Sequence, residues 1–361
     1  MKIICLIEDL NSGGAERQLS GLAELLKSRG HDVEVWTYYP GNFYLPNLVK
    51  AHVKYKYVAT AQSPIKRIPV LLSEIRKARP DVVISYLDTA CIIACIIKKI
   101  WNKFCLIVSE RNTTQELTCR EKIKFFAYRA ANYVIPNSNT QANFITEHYP
   151  ELANKVHCIT NFIDTDLFSP ATCTPVSNAV LKILTVARVM PQKNLFCYMH
   201  AIKRVIDSGY AVHIDWYGAK VEKNYYNECI KLIHELHLEG VFCLHKPETD
   251  IVSVYRDADV FCLPSLYEGF PNVVCEAMGC GLPILCSNVC DNASIVKEGS
   301  NGLLFNPCDE YDMASTIMTF AKLPIDRKRQ MGEESRHRAL NLFSKATFVK
   351  AYEALFKEQK D

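Results

Sequence analysis

Short apolar runs alternate with longer stretches in which apolar residues recur every three or four positions, along almost the whole chain. Four to eight consecutive apolar residues are typical of a strand buried in a parallel sheet, and the longer periodic stretches predict helices with one buried face. In Ala15–Arg29, the first predicted helix, the apolar residues fall on one face, and Gly30 follows its end. Alternation of strands and helices predicts an α/β architecture with parallel sheets.

The pattern contains two series of elements. The first series is predicted to comprise Lys2–Ile7 (strand), Ala15–Arg29 (helix), Asp32–Thr37 (strand), Ile65–Ala78 (helix), Asp81–Tyr86 (strand), Thr89–Trp101 (helix), Phe104–Val108 (strand), Ala131–Ile135 (strand), Thr140–His148 (helix) and Val156–Ile159 (strand). The second series is predicted to place strands at Leu181–Ala187, His213–Trp216, Val241–Leu244, Asp259–Leu263, Pro283–Cys286 and Gly302–Phe305, followed by a helical C-terminal region.

The chain of 361 residues is too long for one ordinary core and predicts two domains. A stretch rich in Pro, Thr, Ser and Asp, residues 161–179, is the predicted linker. We therefore expect a first domain over 1–170, a second over 171–343, and a C-terminal helix over 344–361 that packs back on the first. The expected architecture is two doubly wound, Rossmann-like domains facing each other across a cleft. Ligands of such sheets bind beyond the carboxyl ends of the strands.

Composition excludes several classes of protein. With 49% hydrophobic and 22% charged residues, the chain is neither disordered nor fibrous. The most apolar stretch, Val82 to Ile97, contains Asp88 and is shorter than the roughly 20 residues of a membrane span. Glu8 and Asp9 make the N-terminus unlike a signal peptide. We therefore expect a cytoplasmic protein whose 16 cysteines are free thiols, with no metal site among them.

The segment from Asp259 to Ser287 has the most informative pattern. An apolar strand ends at Pro264, an irregular turn follows, and a helix is predicted to start near Asn272, with Glu276 on its first turn. A loop that leads into a helix N-terminus attracts phosphate through free N–H groups and the helix dipole. Glu268 and Glu276 flank this cradle and suit a ligand that is both sugar and phosphate. Taken alone, either glutamate would favour a structural role, with Glu276 stabilising the helix dipole and Glu268 exposed, whereas the whole segment favours the ligand site.

The same segment resembles the E-x7-E region of retaining GT-B glycosyltransferases of the family-4 type, with Glu268 and Glu276 at the two acidic positions. The stretches Leu184–Arg188 and Gln192–Asn194 resemble the family's V-G-R-x4-K motif. The resemblance implies that Arg188 and Lys193 hold the donor diphosphate, where cations stabilise the developing charge. It also implies that Glu268 contacts the sugar ring and that Glu276 contacts the ribose.

Further positions follow from the resemblance. Ser12–Arg17 resembles the family's glycine-rich loop, and Asn161–Phe168 resembles the junction between its domains. The backbone positions implied in donor binding are Gly13, Gly14, Gly269, Phe270, Pro271 and Asn272.

The chain also departs from the family pattern. Many relatives carry a histidine in a first-domain loop that here contains Glu110 and Arg111, which we take as substitutes that contact the acceptor or the sugar. The usual glycine pair of the second domain is reduced to Gly218, and Ser294 stands where relatives often have Glu. These departures affect the donor-sugar contacts more than the fold.

Two acidic pairs imitate the metal-binding DxD motif of a different glycosyltransferase fold. They are Asp164 with Asp166 and Asp257 with Asp259, and both are expected to serve as turn or cap residues. The resemblance therefore implies an enzyme that needs no metal and no cofactor other than the nucleotide-sugar co-substrate.

The expected activity is retaining transfer of a hexose or N-acetylhexosamine to a hydroxyl of a lipid-linked or soluble glycan in cell-surface polysaccharide synthesis. A UDP-sugar is the favoured donor and GDP-mannose the second. The implied mechanism is front-side transfer, with the leaving diphosphate taking the acceptor proton. Two alternatives stay open: a GT-B isomerase or phosphorylase acting on a nucleotide sugar, and a non-catalytic sugar-nucleotide-binding protein.

Charge is unevenly distributed along the chain. Residues 50–129 contain 16 basic and 6 acidic residues, a balance of 16 − 6 = +10, against +3 for the whole chain. Bases mixed with apolar residues suit an anionic membrane surface, which predicts peripheral attachment to the inner face of the plasma membrane. A solvated face over buried helix stripes is an equal alternative. Nucleic acid is not an expected partner, since no binding motif accompanies the charge.

Overall fold

The computed structural model describes residues 1–58, 63–114, 116–171 and 180–357. These residues form two compact units. The first comprises Met1–Phe162 and the C-terminal residues from Lys345 onward, and the second comprises Ile163–Ser344. Each unit contains a six-stranded parallel sheet flanked by helices, so the predicted pair of doubly wound α/β domains is confirmed.

The first unit has the sheet order β3-β2-β1-β4-β5-β6. Its elements are β1 (Lys2–Leu6), α1 (Gly14–Ser28), β2 (Asp32–Thr37), α2 (Leu45–Lys50), β3 (Lys54–Tyr57), α3 (Pro64–Ala78), β4 (Val82–Tyr86), α4 (Asp88–Ile100), β5 (Cys105–Glu110), α5 (Cys119–Tyr128), β6 (Tyr133–Pro136), α6 (Asn139–His148) and a 3-10 turn over Pro150–Lys155. The central strand β4 is buried at every position, which explains why it reads as one continuous apolar run.

The second unit has the sheet order β12-β11-β10-β7-β8-β9. Its elements are β7 (Leu181–Val186), a 3-10 turn (Pro191–Lys193), α7 (Leu195–Asp207), β8 (Val212–Tyr217), α8 (Lys223–Glu235), β9 (Phe242–His245), α9 (Ile251–Arg256), β10 (Val260–Leu263), α10 (Asn272–Gly279), β11 (Ile284–Ser287), α11 (Asn292–Ile295), β12 (Gly302–Phe305), α12 (Glu310–Lys322) and α13 (Ile325–Phe343). Buried apolar clusters cover both faces of this sheet.

The C-terminal helix α14 (Lys345–Lys357) belongs to the first unit. The ring of Phe348 packs 4.9 Å from that of Phe162, and Glu353 forms an ion pair with Arg29 at 3.1 Å. Both Phe348 and Tyr352 lie in the same apolar cluster as α1. The chain leaves the first unit at Phe162 and returns to it with α14, which completes the apolar core of that unit.

The chain passes between the units at Phe162, whereas its composition placed the boundary after residue 170. The reason lies in Arg336 of α13, whose guanidinium donates to the carbonyls of Thr165 (2.9 Å), Phe168 (2.8 Å) and Gly279 (2.8 Å). These bonds tie the segment after Phe162 to the second unit. The part of the predicted linker at 172–179 lies outside the described residues.

One predicted strand is wrong, and three elements were missed. Within Val156–Ile159, Val156 forms only an isolated bridge with Val134, because the segment runs beside β6 for too short a distance to make a ladder. The edge strand β3 was missed since its alternating sequence is exposed or half-exposed rather than an apolar run. The helices α2 and α5 were also missed.

The cysteines in the described part of the chain are free thiols, as predicted, and most are buried or half-buried. Burial alone raises the pKa of Cys5 to about 12, so this thiol stays protonated and inert. Among the residues described, none of the helices combines the length and the apolar character needed to span a membrane.

Candidate active site

Two loops of the second unit meet at the carboxyl edge of its sheet. Arg188 and Lys193 follow β7, Glu268 follows β10, and β7 and β10 pair directly in parallel. The loops are joined by two hydrogen bonds: the backbone N–H of Leu266 donates to the carbonyl of Gln192 at 2.9 Å, and the Gln192 amide donates to the carbonyl of Tyr267 at 2.8 Å. Adjacent parallel strands therefore bring together residues that are 75 positions apart in the chain.

Lys193 and Glu268 form an ion pair in this junction. The Lys193 Nζ lies 2.5 Å from the Glu268 Oε1, and the two side chains are 12% and 10% exposed. A charge-assisted hydrogen bond shielded from water fixes both groups in position. The carboxylate offers its second oxygen for a further contact, so the pair can present a cation and an acceptor side by side.

Arg188 differs from Lys193 in its surroundings. Its side chain is exposed, and it has neither an ion pair nor a hydrogen bond to any residue that the structure describes. A guanidinium without an internal partner, in the same loop as Lys193, can bind an anion without first breaking a contact. The predicted diphosphate residues thus lie in one loop, one of them paired and the other available.

Asn194 holds this loop in place and was missed from the sequence. Its backbone is left-handed (φ 61°), and its side-chain amide donates to the carbonyls of Pro264 at 3.1 Å and Pro307 at 2.7 Å. Asn tolerates left-handed backbone better than most residues. The signal available in the sequence was an Asn directly before the stretch that forms α7, a position that Asn often occupies.

The irregular turn Gly269–Pro271 leads into α10 as predicted, with Pro271 as the residue before the first helical position. Phe270 is 8% exposed and its ring packs against Phe343 of α13, with 5.6 Å between ring centroids. This contact anchors the turn, so that the positive end of the α10 dipole stays fixed beside Asn272.

The helix α10 begins at Asn272 as expected, and Glu276 is its fifth residue, at the start of the second turn and not on the first. Its side chain is nearly buried, and its Oε2 accepts a hydrogen bond from the Tyr255 hydroxyl at 3.2 Å. Tyr255 is fully buried on α9 and also donates to the carbonyl of Val273 at 3.3 Å. Tyr255 was missed, since a buried aromatic on a short helix gives no functional signal in the sequence.

Gly218 is required by a close backbone approach. A Cβ atom at this position would lie 1.8 Å from the carbonyl oxygen of Ala187, which also accepts a hydrogen bond from the Trp216 indole at 2.8 Å. The loops after β7 and β8 therefore pack backbone against backbone immediately before Arg188. Any side chain at Gly218 would displace the loop that contains both predicted diphosphate residues.

In the first unit, Gly13 and Gly14 lie at the start of α1. A Cβ atom on Gly13 would meet the Glu16 carboxylate, whereas one on Gly14 would meet no other atom within 4 Å. The hydroxyl of Tyr44 donates to the Gly13 carbonyl at 3.3 Å. Burial raises the pKa of Glu16, and the neighbouring Asp9 and Glu8 raise it further. The donor contact of these glycines stays a prediction.

Glu110 and Arg111 are both held inside the first unit. Glu110 is 1% exposed; its Oε2 pairs with the Lys124 ammonium at 2.9 Å and accepts from the Tyr128 hydroxyl at 3.1 Å. Burial raises the pKa of Glu110, although Lys124 opposes this shift. Its contact with acceptor or sugar stays a prediction, and the observed contacts are internal.

The Arg111 guanidinium donates to three groups. These are the Tyr86 hydroxyl at 2.5 Å, the Tyr352 hydroxyl at 2.8 Å and the Asn161 side-chain oxygen at 2.7 Å. Since Tyr352 belongs to α14, Arg111 joins the C-terminal helix to the end of β5.

Three carboxylates of the DxD-like pairs have partners within the protein, namely those of Asp164, Asp257 and Asp259. Asp164 accepts from the backbone N–H groups of Asp166 and Leu167, both at 3.3 Å. Asp259 accepts from the backbone N–H of Lys182 at 2.9 Å, and the Lys182 ammonium pairs with Asp257 at 3.1 Å. The contacts of Asp164 are the turn contacts expected of such a residue. The turn or cap role expected of Asp257 and Asp259 is not observed, because both carboxylates contact Lys182 of β7, which lies 75 and 77 positions away in the chain.

Comparison with known proteins agrees with this geometry. The family described as "Glycosyl transferases group 1" matches residues 177–338, and "Glycosyltransferase Family 4" matches residues 12–167. The chain is 29% identical over 334 residues to the GalNAc-alpha-(1->4)-GalNAc-alpha-(1->3)-diNAcBac-PP-undecaprenol alpha-1,4-N-acetyl-D-galactosaminyltransferase of Campylobacter jejuni, covering 88% of each chain. It is 24% identical over 306 residues to the UDP-Gal:alpha-D-GlcNAc-diphosphoundecaprenol alpha-1,3-galactosyltransferase of Escherichia coli, covering 78% of this chain and 76% of that one.

Among solved structures, Anabaena Alr3699/HepE in complex with UDP has a similar fold. The TM-score is 0.85 at 20% identity, covering 99% of this chain and 100% of the other. The two family matches cover most of both predicted domains, and they include the candidate residues of the first unit and those of the second. The chain is a glycosyltransferase and belongs to the family-4 type with the GT-B fold.

Proposed function

We propose that this glycosyltransferase moves a hexose or N-acetylhexosamine from a nucleotide sugar to a hydroxyl of a lipid-linked glycan, with retention at the anomeric carbon. The observation that carries the proposal is the Lys193–Glu268 pair at the carboxyl ends of β7 and β10, with the exposed Arg188 in the same loop as Lys193. Two cations and one carboxylate beside a helix N-terminus suit a sugar diphosphate in charge and in hydrogen bonding.

In the proposed reaction, the bond between the anomeric carbon and the diphosphate oxygen breaks, and the acceptor oxygen bonds to the same face of that carbon. The acceptor proton goes to the departing diphosphate oxygen, so the step balances without a protein base. Arg188 and Lys193 stabilise the charge that develops on the diphosphate, and Glu268 orients the sugar ring. Neither metal nor any other cofactor takes part in this proposal.

The nucleotide is proposed to be UDP first and GDP second. Glu276, oriented by the Tyr255 hydroxyl, would accept hydrogen bonds from the ribose hydroxyls. Support for UDP comes from the E. coli relative, whose name includes UDP-Gal, and from the HepE structure in complex with UDP. Both named relatives act on glycans linked to undecaprenol through phosphate, which supports a lipid-linked acceptor.

We further propose that the first unit attaches peripherally to the inner face of the plasma membrane. Helices α3, α4 and α5 pack on one face of the first sheet and share an apolar cluster. The outer side of this layer exposes large apolar residues next to lysines and arginines; among them are Ile65, Lys66, Arg76, Lys77, Lys122, Ile123 and Phe126. Cations attract anionic headgroups, and the apolar side chains can enter the interface.

This surface contains fewer cations than the sequence suggested. Arg67 is fully buried against the rings of Tyr38 and Tyr39, and Lys124 is buried in its pair with Glu110. The remaining cations include three around an open groove on α3 with a volume of 710 Å³. The groove is lined by Pro69, Leu72, Ser73, Arg76, Lys77 and Arg79.

A donor panel tests the proposed function. Thermal unfolding of the chain is measured with UDP-, GDP- and ADP-sugars, since a ligand that binds the native state raises the unfolding temperature. We expect UDP-sugars to give the largest shift, and nucleoside diphosphate to be released only when a lipid-linked acceptor is added. No shift with any nucleotide sugar would contradict the donor site. Release of diphosphate without transfer to lipid-linked glycan would contradict the acceptor.

A further inference from the structure

A second group of polar side chains lies on β8 and on the edge strand β9 of the second sheet. His213 and Asp215 alternate along β8 and therefore point to the same face, and Asp215 is the direct register partner of Cys243 on β9. The three candidate ligand atoms, one from each side chain, lie within 4.8 Å of one another. Strand pairing has thus placed an imidazole, a carboxylate and a thiol together.

The distances in this group suit a small metal ion. The Nε2 of His213 lies 3.3 Å from the Asp215 Oδ1. Two ligands bonded to tetrahedral zinc at about 2.0–2.1 Å are separated by roughly 3.3–3.4 Å. These two atoms therefore already have the separation that zinc requires, and the Cys243 sulfur lies within 4.8 Å of both.

A fourth residue orients the carboxylate. The Nε2 of His245 lies 2.6 Å from the Asp215 Oδ1, and the His245 ring stacks on Tyr217 at 4.4 Å between centroids. Hydrogen bonds from neighbours to a ligating carboxylate fix its direction and strengthen metal binding. The side chains of His213 and Asp215 are about one third exposed, so an ion can reach them from solvent.

The group is separate from the proposed transfer chemistry. Arg188, Lys193 and Glu268 follow β7 and β10, whereas His213, Asp215 and Cys243 lie within β8 and β9. A mixed nitrogen, oxygen and sulfur donor set is typical of zinc rather than of magnesium or calcium, which prefer oxygen alone.

We propose that His213, Asp215 and Cys243 form a zinc-binding site that joins β8 to the edge strand β9, with the fourth position taken by water. Binding replaces the thiol proton of Cys243, which is released to solvent, by a sulfur–zinc bond. The ion links neighbouring strands of the second unit and stabilises the edge of its sheet.

Cobalt substitution tests the site. The full chain, prepared without an affinity tag and stripped with EDTA, is titrated with Co²⁺ and then with Zn²⁺. We expect one Co²⁺ per chain, a sulfur-to-cobalt charge-transfer absorption, and loss of that absorption when one equivalent of Zn²⁺ is added. Cys243→Ser should abolish the absorption, and His213→Ala should weaken Zn²⁺ binding at least tenfold.

Two variants serve as matched controls. Cys308→Ser removes an exposed thiol of the same unit, and His234→Ala removes an exposed histidine that pairs with Glu239 at 2.7 Å. Both should keep the wild-type absorption and affinity. Circular dichroism of the metal-free variants shows whether each is folded, and Asp215→Asn replaces any variant that is not.

Three outcomes would overturn the proposal. The first is that the wild-type chain shows no charge-transfer absorption, and the second is that the absorption persists in folded Cys243→Ser. The third is that Cys308→Ser loses as much of the absorption as Cys243→Ser does. Glycosyl transfer is not measured, so the result is independent of the proposed function.

Discussion

The Lys193 ammonium and the Glu268 carboxylate form an ion pair of 2.5 Å between the loops that follow β7 and β10. Each charge is shielded from water by the protein and compensated by the other. An incoming diphosphate would compete with Glu268 for Lys193, which leaves the carboxylate able to accept a sugar hydroxyl. In the proposed reaction, the pair would thereby couple diphosphate binding to the orientation of the sugar.

Removing either partner of this pair should reduce transfer. We expect Lys193→Ala and Glu268→Gln each to lower kcat by about 10²-fold, because a fixed charge near the developing diphosphate is lost. Lys231→Ala is the matched control, since Lys231 pairs with Glu235 at 3.1 Å on the exposed face of α8. Steady-state kinetics at saturating donor provides the measurement. Wild-type kcat in both pair variants would mean that the transfer site is elsewhere.

The second expectation concerns nucleotide binding. Glu276→Ala should weaken donor binding by about 1.5–3 kcal/mol, since the ribose hydroxyls lose a charged acceptor. Tyr255→Phe removes the hydroxyl that orients the same carboxylate, so it should weaken binding in the same direction but less. Calorimetric titration with UDP measures both. Unchanged affinity in Glu276→Ala would exclude this residue from the nucleotide site.

The sequence predicts much of the fold because its strands are buried on both faces and read as apolar runs. It fails where burial is partial: β3 alternates lysine and tyrosine at the sheet edge, and Val156–Ile159 is apolar but forms only one bridge. In the candidate site, residues such as Lys193 were indicated only by the resemblance to the family's motifs. Tyr255 has no signal of this kind, because its contribution is a hydrogen bond to Glu276, 21 positions further along the chain.

Transfer should not depend on a metal ion. Arg188 and Lys193 supply the positive charge that a divalent cation would otherwise supply at the diphosphate. We expect activity to survive EDTA, even if chelation removes zinc from the His213–Asp215–Cys243 group. The measurement is the initial rate before and after chelation, with and without added Mn²⁺ or Mg²⁺. Complete loss on chelation, restored by either ion, would contradict the proposed mechanism.

Binding to vesicles should depend on anionic lipid and on the outer side of α3 and α5. Each lysine near anionic headgroups contributes about 1 kcal/mol to the free energy of membrane binding. Lys122→Glu should therefore weaken binding roughly fivefold or more. Phe126→Ser should also weaken it, because this ring is 60% exposed and available to the interface. Val221→Ser, at an exposed apolar position of the second unit, is the control. Co-sedimentation with anionic and neutral vesicles at low and high salt gives the result. Equal binding to both vesicle types, or no binding to either, would contradict membrane attachment. A soluble glycan would then be the better candidate for the acceptor.

The buried Glu110–Lys124 pair should control stability rather than substrate binding. Burial raises the pKa of Glu110 above its ordinary value of 4.5, so the folded state holds this proton more tightly than the unfolded state does. The resulting stabilisation is complete below pH 4.5 and is lost as the pH rises through the folded-state pKa. Glu110→Gln should remove this pH dependence.

Lys124→Met, in contrast, leaves a buried carboxylate without its counter-ion and should cost about 3–5 kcal/mol at neutral pH. Adding Glu110→Gln to Lys124→Met should restore most of that loss, because the other carboxylate that pairs with Lys124, Asp88, keeps its ion pair with Arg120 at 3.5 Å. Urea unfolding of the four proteins from pH 4 upward measures these differences. If Glu110 contacts the acceptor or the sugar instead, Glu110→Gln would raise KM with little change in the free energy of unfolding at any pH. The internal contacts of both Glu110 oxygens, to Lys124, Tyr128 and the backbone of Asn112, lead us to expect the stability effect.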